Sequence, residues 1–169
     1  MLIFAALLVC GLIVIYFVSF NAQIQTDGFL NEGESISRIK SLEDEFIKSV
    51  YLVKDEGGTP LRMVQVIESG GYNGLITLAL TLDVIQDKLL AITILQHSET
   101  DTYGGYATQE WFLDRFADKD VYRDLKTVKM AAKAPEEIVA VTGATITSEG
   151  IVAGVNRGLR AYRKYKGEN

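Results

Sequence analysis

Between Leu2 and Phe20 the chain reads LIFAALLVCGLIVIYFVSF, an apolar run without a single charged side chain. A helix needs about 20 such residues to cross a hydrocarbon core of about 30 Å. The run is apolar on every face, unlike a helix that packs one side on a soluble core. It predicts a transmembrane anchor over residues 1–21 and leaves the rest of the chain to fold in water. Cleavage is disfavoured, because only Met1 precedes the run and Phe20-Asn21-Ala22 is a poor small-x-small site. Leu8-Val9 before Cys10 do not fit a lipoprotein signal. Residues 22–34, polar and broken by Gly28 and Gly33, read as a linker. Residues 35–169 then have the length of one domain.

Charge sets the orientation and removes some partners. The first Lys or Arg after the anchor is Arg38, whereas Asp27, Glu32 and Glu34 come earlier. The basic flank that retains a segment in the cytoplasm is missing. The expected arrangement is a single-pass protein of a bacterial cell membrane with its main domain on the extracytoplasmic side. With 17 basic and 22 acidic residues the net charge is −5, which argues against nucleic acid as a partner. Cys10 is the only cysteine, so disulfides and Cys-ligated zinc or iron–sulfur sites within the chain are excluded. No zinc-ligand spacing surrounds His97, the only histidine, and no metal site is expected.

Periodicity outlines the domain. Ile36, Ile39, Leu42, Phe46, Ile47 and Val50 recur at three- and four-residue spacing, which predicts an amphipathic helix. Beyond the turn signal Asp55–Pro60, β-branched runs at 61–67, 75–82 and 89–95 predict an antiparallel meander. A short helix is expected over 110–116 with Thr108 as its cap, and a strand over 138–141. Residues 121–130 give mixed signals. The last helix, from Ser148 to about Lys164, has Thr147 or Ser148 as candidate N-cap and Arg160, Arg163 and Lys164 at its end. The fold class is α+β, an antiparallel-rich sheet with flanking helices.

Three stretches could carry chemistry. Thr142-Gly143-Ala144-Thr145-Ile146-Thr147 joins a strand to the last helix, where small residues allow close approach and the helix N-terminus favours a phosphate. His97-Ser98-Glu99-Thr100 follows a strand and could handle protons. In Gly70-Gly71-Tyr72-Asn73-Gly74, a strand-to-strand turn, Tyr72 could line a pocket for a ring. Each has a plainer reading by itself: a capping turn, a structural histidine in a solvated acidic loop, a packing tyrosine.

Their order along the chain is more specific than any one of them. Thr142–Thr147 resembles the S/T-G-A-T-x-T/S flavinylation motif of FMN-binding domains in bacterial respiratory complexes. His97–Thr100 resembles the H-x-E-T segment of that family, and Gly71-Tyr72-Asn73-Gly74-Leu75-Ile76 its G-Y-x-G-x-I stretch. Trp111–Phe116 is similar to its W-x-D-x-F-like helix. With one N-terminal span, the set resembles the G subunit of Rnf electron-transport complexes first, and the C subunit of sodium-pumping NADH:quinone oxidoreductases second.

The resemblance implies FMN linked covalently through its phosphate to Thr145, with Thr147 the second choice. It implies a loop shaped by Thr142, Gly143 and Ala144, and His97, Glu99 and Thr100 tuning the flavin by hydrogen bonds. Its partners would be other membrane subunits and, for maturation, a flavin transferase. The chain would be an electron carrier, not a complete enzyme, in an Rnf-type ferredoxin:NAD oxidoreductase coupled to Na+ or H+ translocation. Alternatives are a non-flavinylated assembly or scaffold subunit of such a complex and a stand-alone extracytoplasmic flavoprotein. Two positions depart from the family pattern. Val139 stands where an aspartate is usual, and Asp101-Thr102-Tyr103-Gly104 replaces Pro-Gly-Leu-Gly.

Overall fold

The computed structural model describes residues 31–168. The apolar run at 2–20 and most of the expected linker lie outside the described residues, among which no helix is long and apolar enough to cross a membrane. A six-stranded antiparallel sheet runs in sequence order through β1 (Ser35–Arg38), β2 (Ile47–Lys54), β3 (Pro60–Gly70), β4 (Leu75–Asp83), β5 (Lys88–Gln96) and β6 (Lys119–Asp120). Between β5 and β6 come a 3-10 turn (Tyr103–Thr108), the one-turn helix α1 (Glu110–Leu113) and a second 3-10 turn (Asp114–Phe116). Then β7 (Lys126–Val128) pairs in parallel with β8 (Glu137–Val139), and α2 (Thr145–Tyr165) closes the domain. The meander and the α+β class agree with the sequence.

The helix expected over Ile36–Val50 is not formed. Its residues make β1, a 3-10 turn at Lys40–Leu42 and the start of β2. The Asp44 carboxylate accepts the N–H groups of Phe46 (2.8 Å) and Ile47 (2.7 Å), a local bond that competes with the helical ladder. The β-branched residues beyond it then pair with β3, with Val50 opposite Gln65 and Leu52 opposite Met63. Two caps also differ. Thr108 turns its hydroxyl back to the Gly105 carbonyl (2.9 Å), and Gln109 precedes α1. Helix α2 begins at Thr145, so Thr147 and Ser148 lie in its first turn and Ala144 occupies the N-cap without a side-chain bond.

What seats α2 on the sheet is a stripe of glycines. Gly150, Gly154 and Gly158 recur every fourth residue and share one helical face. A methyl group at Gly150 would overlap the Gly70 carbonyl, and one at Gly158 would crowd Leu80, Gln65 and Ile67. The close approach is fixed by polar bonds, Ser69 Oγ to the Gly150 carbonyl (2.8 Å) and Gln65 Nε2 to that of Gly158 (3.1 Å). Around the seam, Ile151, Val155, Leu159 and Tyr162 of α2 bury against Met63, Ile67, Ile76, Leu78, Leu80 and Leu82 of the sheet. Phe112 and Phe116 complete this core edge to face, with ring centres 5.6 Å apart. Because α2 lies so close to β3, its N-terminus is delivered to the β3–β4 turn.

Candidate functional site

At that end of α2 the three stretches converge on one groove. Its volume is about 630 Å³, and Tyr72, Thr100, Thr102, Tyr103, Gly104, Gly143, Ala144, Thr145, Ile146 and Thr147 line it. The β3–β4 turn supplies Tyr72, the segment after β5 supplies Thr100 to Gly104, and the junction of β8 with α2 supplies the remainder. A groove of this size, with polar groups set among apolar ones, has the form of a small-molecule site.

The junction is held open by specific bonds. Gly143 has φ +81°, a conformation that glycine adopts without strain, and the Tyr103 ring lies against it so closely that a Cβ would collide. The Ser148 hydroxyl donates to the Ala144 carbonyl (2.8 Å) and accepts the Val141 N–H (3.1 Å), fastening the loop to the first turn. The first N–H groups of a helix have no intrahelical partner. Here they belong to residues that line the groove, together with the positive end of the helix dipole.

The two threonines of the first turn differ sharply. Thr147 is only 1% exposed, and its hydroxyl donates to Glu99 Oε2 at 2.9 Å. Thr145 is half-buried, on the groove wall. Glu99 is buried as well, and its Oε1 accepts the Asn73 N–H at 3.0 Å. Asn73 Nδ2 donates in turn to the Ser98 carbonyl (2.7 Å), so the turn after β3 is tied to the loop after β5. Gly71 and Gly104 flank the carboxylate, and a Cβ on either would overlap it.

Not every residue of the motifs reaches the groove. His97 is exposed, and its Nδ1 accepts the Glu99 N–H (3.2 Å), a local turn bond away from the lining. Glu99 sits behind the wall and meets the groove through Thr147. Thr142 is exposed at the loop's outer edge, whereas Thr100 lines the groove and donates to the Thr102 carbonyl. Sequence reasoning missed Tyr103, whose signal was present in the departure Asp101-Thr102-Tyr103-Gly104. It has φ +60° and is 64% exposed, facing the same space as Tyr72, which is 72% exposed. Near Val139, the position of the missing acid, Arg115 donates to the Val139 carbonyl (2.6 Å) and stacks over Trp111 at 5.1 Å.

Comparisons with known proteins point to the same elements. A family model described as FMN-binding domain matches residues 71–160, which run from the β3–β4 turn into α2. The chain is 29% identical over 150 residues to the G subunit of the proton-translocating ferredoxin:NAD(+) oxidoreductase complex of Clostridium ljungdahlii. That match covers 86% of this chain and 75% of the relative. It is 32% identical over 128 residues to the G subunit of the Na(+)-translocating ferredoxin:NAD(+) oxidoreductase complex of Acetobacterium woodii. There the match covers 75% of this chain and 61% of the relative, less than two thirds of its length. Among solved structures, the C subunit of the Na(+)-translocating NADH-quinone reductase of Parabacteroides distasonis superposes with a TM-score of 0.60 at 16% identity. It covers 88% of this chain and 74% of that one, a likeness of fold.

Proposed function

The chain belongs to the FMN-binding domain family, and from that premise we propose that it is a membrane-tethered electron carrier with FMN bonded through its phosphate to Thr145. The observation that carries the linkage is the contrast within one helical turn. Thr145 is half-buried on the groove wall, while Thr147 is buried and engaged by Glu99. The residues suit the group. The N-terminus of α2 favours a phosphate, Gly143 admits close approach, and Tyr72 and Tyr103 offer ring faces along a groove that is otherwise apolar and hydroxyl-lined.

FMN, when bound, supplies reversible electron transfer, and the protein's task is to hold and orient it. For the linkage, Thr145 Oγ forms a bond to the phosphorus of an activated flavin donor, a flavin dinucleotide. The phosphorus–oxygen bond to the departing nucleotide breaks, and the hydroxyl proton leaves with that nucleotide. No electrons change hands. A flavin transferase would catalyse this step. A covalent tether also prevents loss of the cofactor from a domain on the extracytoplasmic side, where residues 2–20 would anchor it.

The relatives are named as subunits of ion-translocating ferredoxin:NAD(+) oxidoreductase complexes. The reading extends to this chain as a subunit of such a complex, with the other membrane subunits as partners and Na+ or H+ as the coupled ion. Val139, in place of an acid near the loop, favours a second reading, a scaffold subunit that keeps the fold without the flavin.

Intact mass and peptide mapping of the protein from its native host separate the two. The expected result is an added mass of FMN less one water on the peptide containing Thr145. An unmodified peptide from cells with an active flavin transferase would overturn the covalent reading.

A further inference from the structure

Among the described residues Glu99 is the only charged side chain in the buried class. Its surroundings are made for a carboxylate. One oxygen accepts the Asn73 N–H and the other the Thr147 hydroxyl, and Gly71 and Gly104 leave the room that their side chains would take. Among the described residues no Lys or Arg forms an ion pair with it; the cations of the ion pairs are engaged elsewhere. A carboxylate so enclosed and without a counter-ion is costly to keep. It points at the second threonine of a motif in which only one threonine is on the groove wall with its hydroxyl uncommitted to an acid.

We propose that Glu99 is a positioning residue that determines which threonine is flavinylated, an inference that rests on the covalent reading above. It acts on Thr147 in two ways. The hydrogen bond holds the Thr147 hydroxyl inward, so that although Thr147 contributes to the groove lining, at 1% exposure it offers almost no surface to an activated flavin phosphate. A phosphodiester on Thr147 would also set a negative charge beside a buried negative charge, at short range and in a medium that screens poorly. Thr145, two residues earlier, turns to the groove and meets neither obstacle. The bond that forms is the one already described, Thr145 Oγ to phosphorus with a nucleotide leaving, and Glu99 takes no proton in it. A carboxylate beside a hydroxyl is also the arrangement of a general base, so the rival assignment is that Glu99 activates Thr147. Burial of the Thr147 hydroxyl argues for the guard over the base.

The test is the full chain co-expressed with a flavin transferase, with the flavin-bearing residue located by peptide fragmentation. The wild type should carry FMN on Thr145 alone. Thr145→Ala should carry none. Thr145→Ala combined with Glu99→Ala should carry it on Thr147, at least about tenfold above the single variant, the scale on which access and alignment govern such steps. The Glu99→Ala single variant, labelled on Thr145, reports that the fold and transferase recognition survive. If it does not fold, Glu99→Gln takes its place, since it keeps the length between Gly71 and Gly104 and removes the charge.

Equal labelling of Thr147 in Thr145→Ala with and without the second change overturns the guard. So does a double variant that stays unlabelled while the Glu99 single variant is labelled. FMN on Thr147 of the wild type would make Glu99 the base and overturn the proposal in the opposite sense. A wild type left bare by an active transferase overturns the covalent reading, and this inference with it.

Discussion

Helix α2 ends twice on the same device, an acid that accepts a hydroxyl hydrogen bond, and the two ends treat it differently. At the far end the Tyr162 hydroxyl donates to Asp87, and Lys166 adds an ion pair at 2.9 Å. Burial alone would raise the Asp87 carboxyl. The hydrogen bonds from Lys166 and Tyr162 and the lysine charge outweigh it and hold the group below the usual carboxylate range. The Tyr162 phenol is pushed up by burial and then by its bond to Asp87. Asp87 is also a left-handed residue, φ +54°, a conformation that aspartate tolerates. At the groove end the acid, Glu99, has no cation, and the left-handed residue is a tyrosine, Tyr103. One end is compensated and the other is not. Strain and uncompensated charge concentrate where a site has to be shaped, because the surrounding structure can carry them there.

On the proposed reading the groove end is built around the Thr145 hydroxyl, and the sharpest way to break this comparison is to remove it. Thr145→Val keeps the shape and deletes the nucleophile. Covalent flavin should disappear completely, while unfolding midpoints in urea stay within the roughly ±0.5 kcal/mol of an ordinary surface change. Retained covalent FMN, on any residue, would show that the groove is not organised around Thr145.

Next in size is the seam that both ends share. Gly150→Ala gains about 1 kcal/mol of helix propensity. The new methyl meets the Gly70 carbonyl, which belongs to the backbone and cannot rotate away, so overpacking costs about 3 kcal/mol. The net expectation is about 2 kcal/mol lost, read as a lower urea midpoint with an unchanged slope. A midpoint that rises instead would mean that α2 can lift off the sheet.

How much of this was legible in the sequence follows from the range of the forces involved. Strands β3, β4 and β5 were legible because residues 61–67, 75–82 and 89–95 carry dense β-branched patterns set off by turn signals, and these are local properties. The region 36–50 reads as a helix because its apolar residues recur at three and four. That spacing spans three separate pieces, the short β1, a 3-10 turn and the start of β2, and is not the face of one helix. Asp44 decides against the helix by bonding two N–H groups. The stripe Gly150, Gly154, Gly158 stood in plain view, but its meaning depends on Gly70 and Ser69, far away in sequence. The motifs around 71–74, 97–100 and 142–147 were legible as an ordered set. That Glu99 reaches Thr147 and that His97 turns outward are contacts between loops, which no local pattern encodes.

The compensated end makes a smaller, pH-dependent prediction. Asp87 is depressed in the folded chain relative to an unfolded value of about 3.9. Its contribution is therefore present above that value and is lost as pH falls through the lower folded one. Asp87→Asn should cost about 1 kcal/mol near neutrality, as befits a partly exposed pair. The variant's urea midpoint should then fall less than the wild type's between neutral pH and the acid side of that window. Parallel acid limbs in the two proteins would show that the bonds from Lys166 and Tyr162 do not hold Asp87 down.

The smallest effect on stability is expected at Tyr103, and it bears most directly on the groove end. Glycine there relieves a left-handed backbone worth about 1–2 kcal/mol for a residue with a Cβ. It also loses about 0.5–1 kcal/mol through added freedom in the unfolded chain, and it gives up the ring's contact with Gly143. The terms nearly cancel, so Tyr103→Gly should melt within a degree or two of the wild type, roughly the shift that about 0.5 kcal/mol produces in a domain of this size. The flavin should report what the fold does not. A tyrosine ring stacked on a flavin quenches its emission, so the loaded Tyr103→Gly chain should fluoresce more brightly than the loaded wild type. A clear loss of stability with unchanged emission would make Tyr103 a structural residue, and the groove end would then resemble the far end after all.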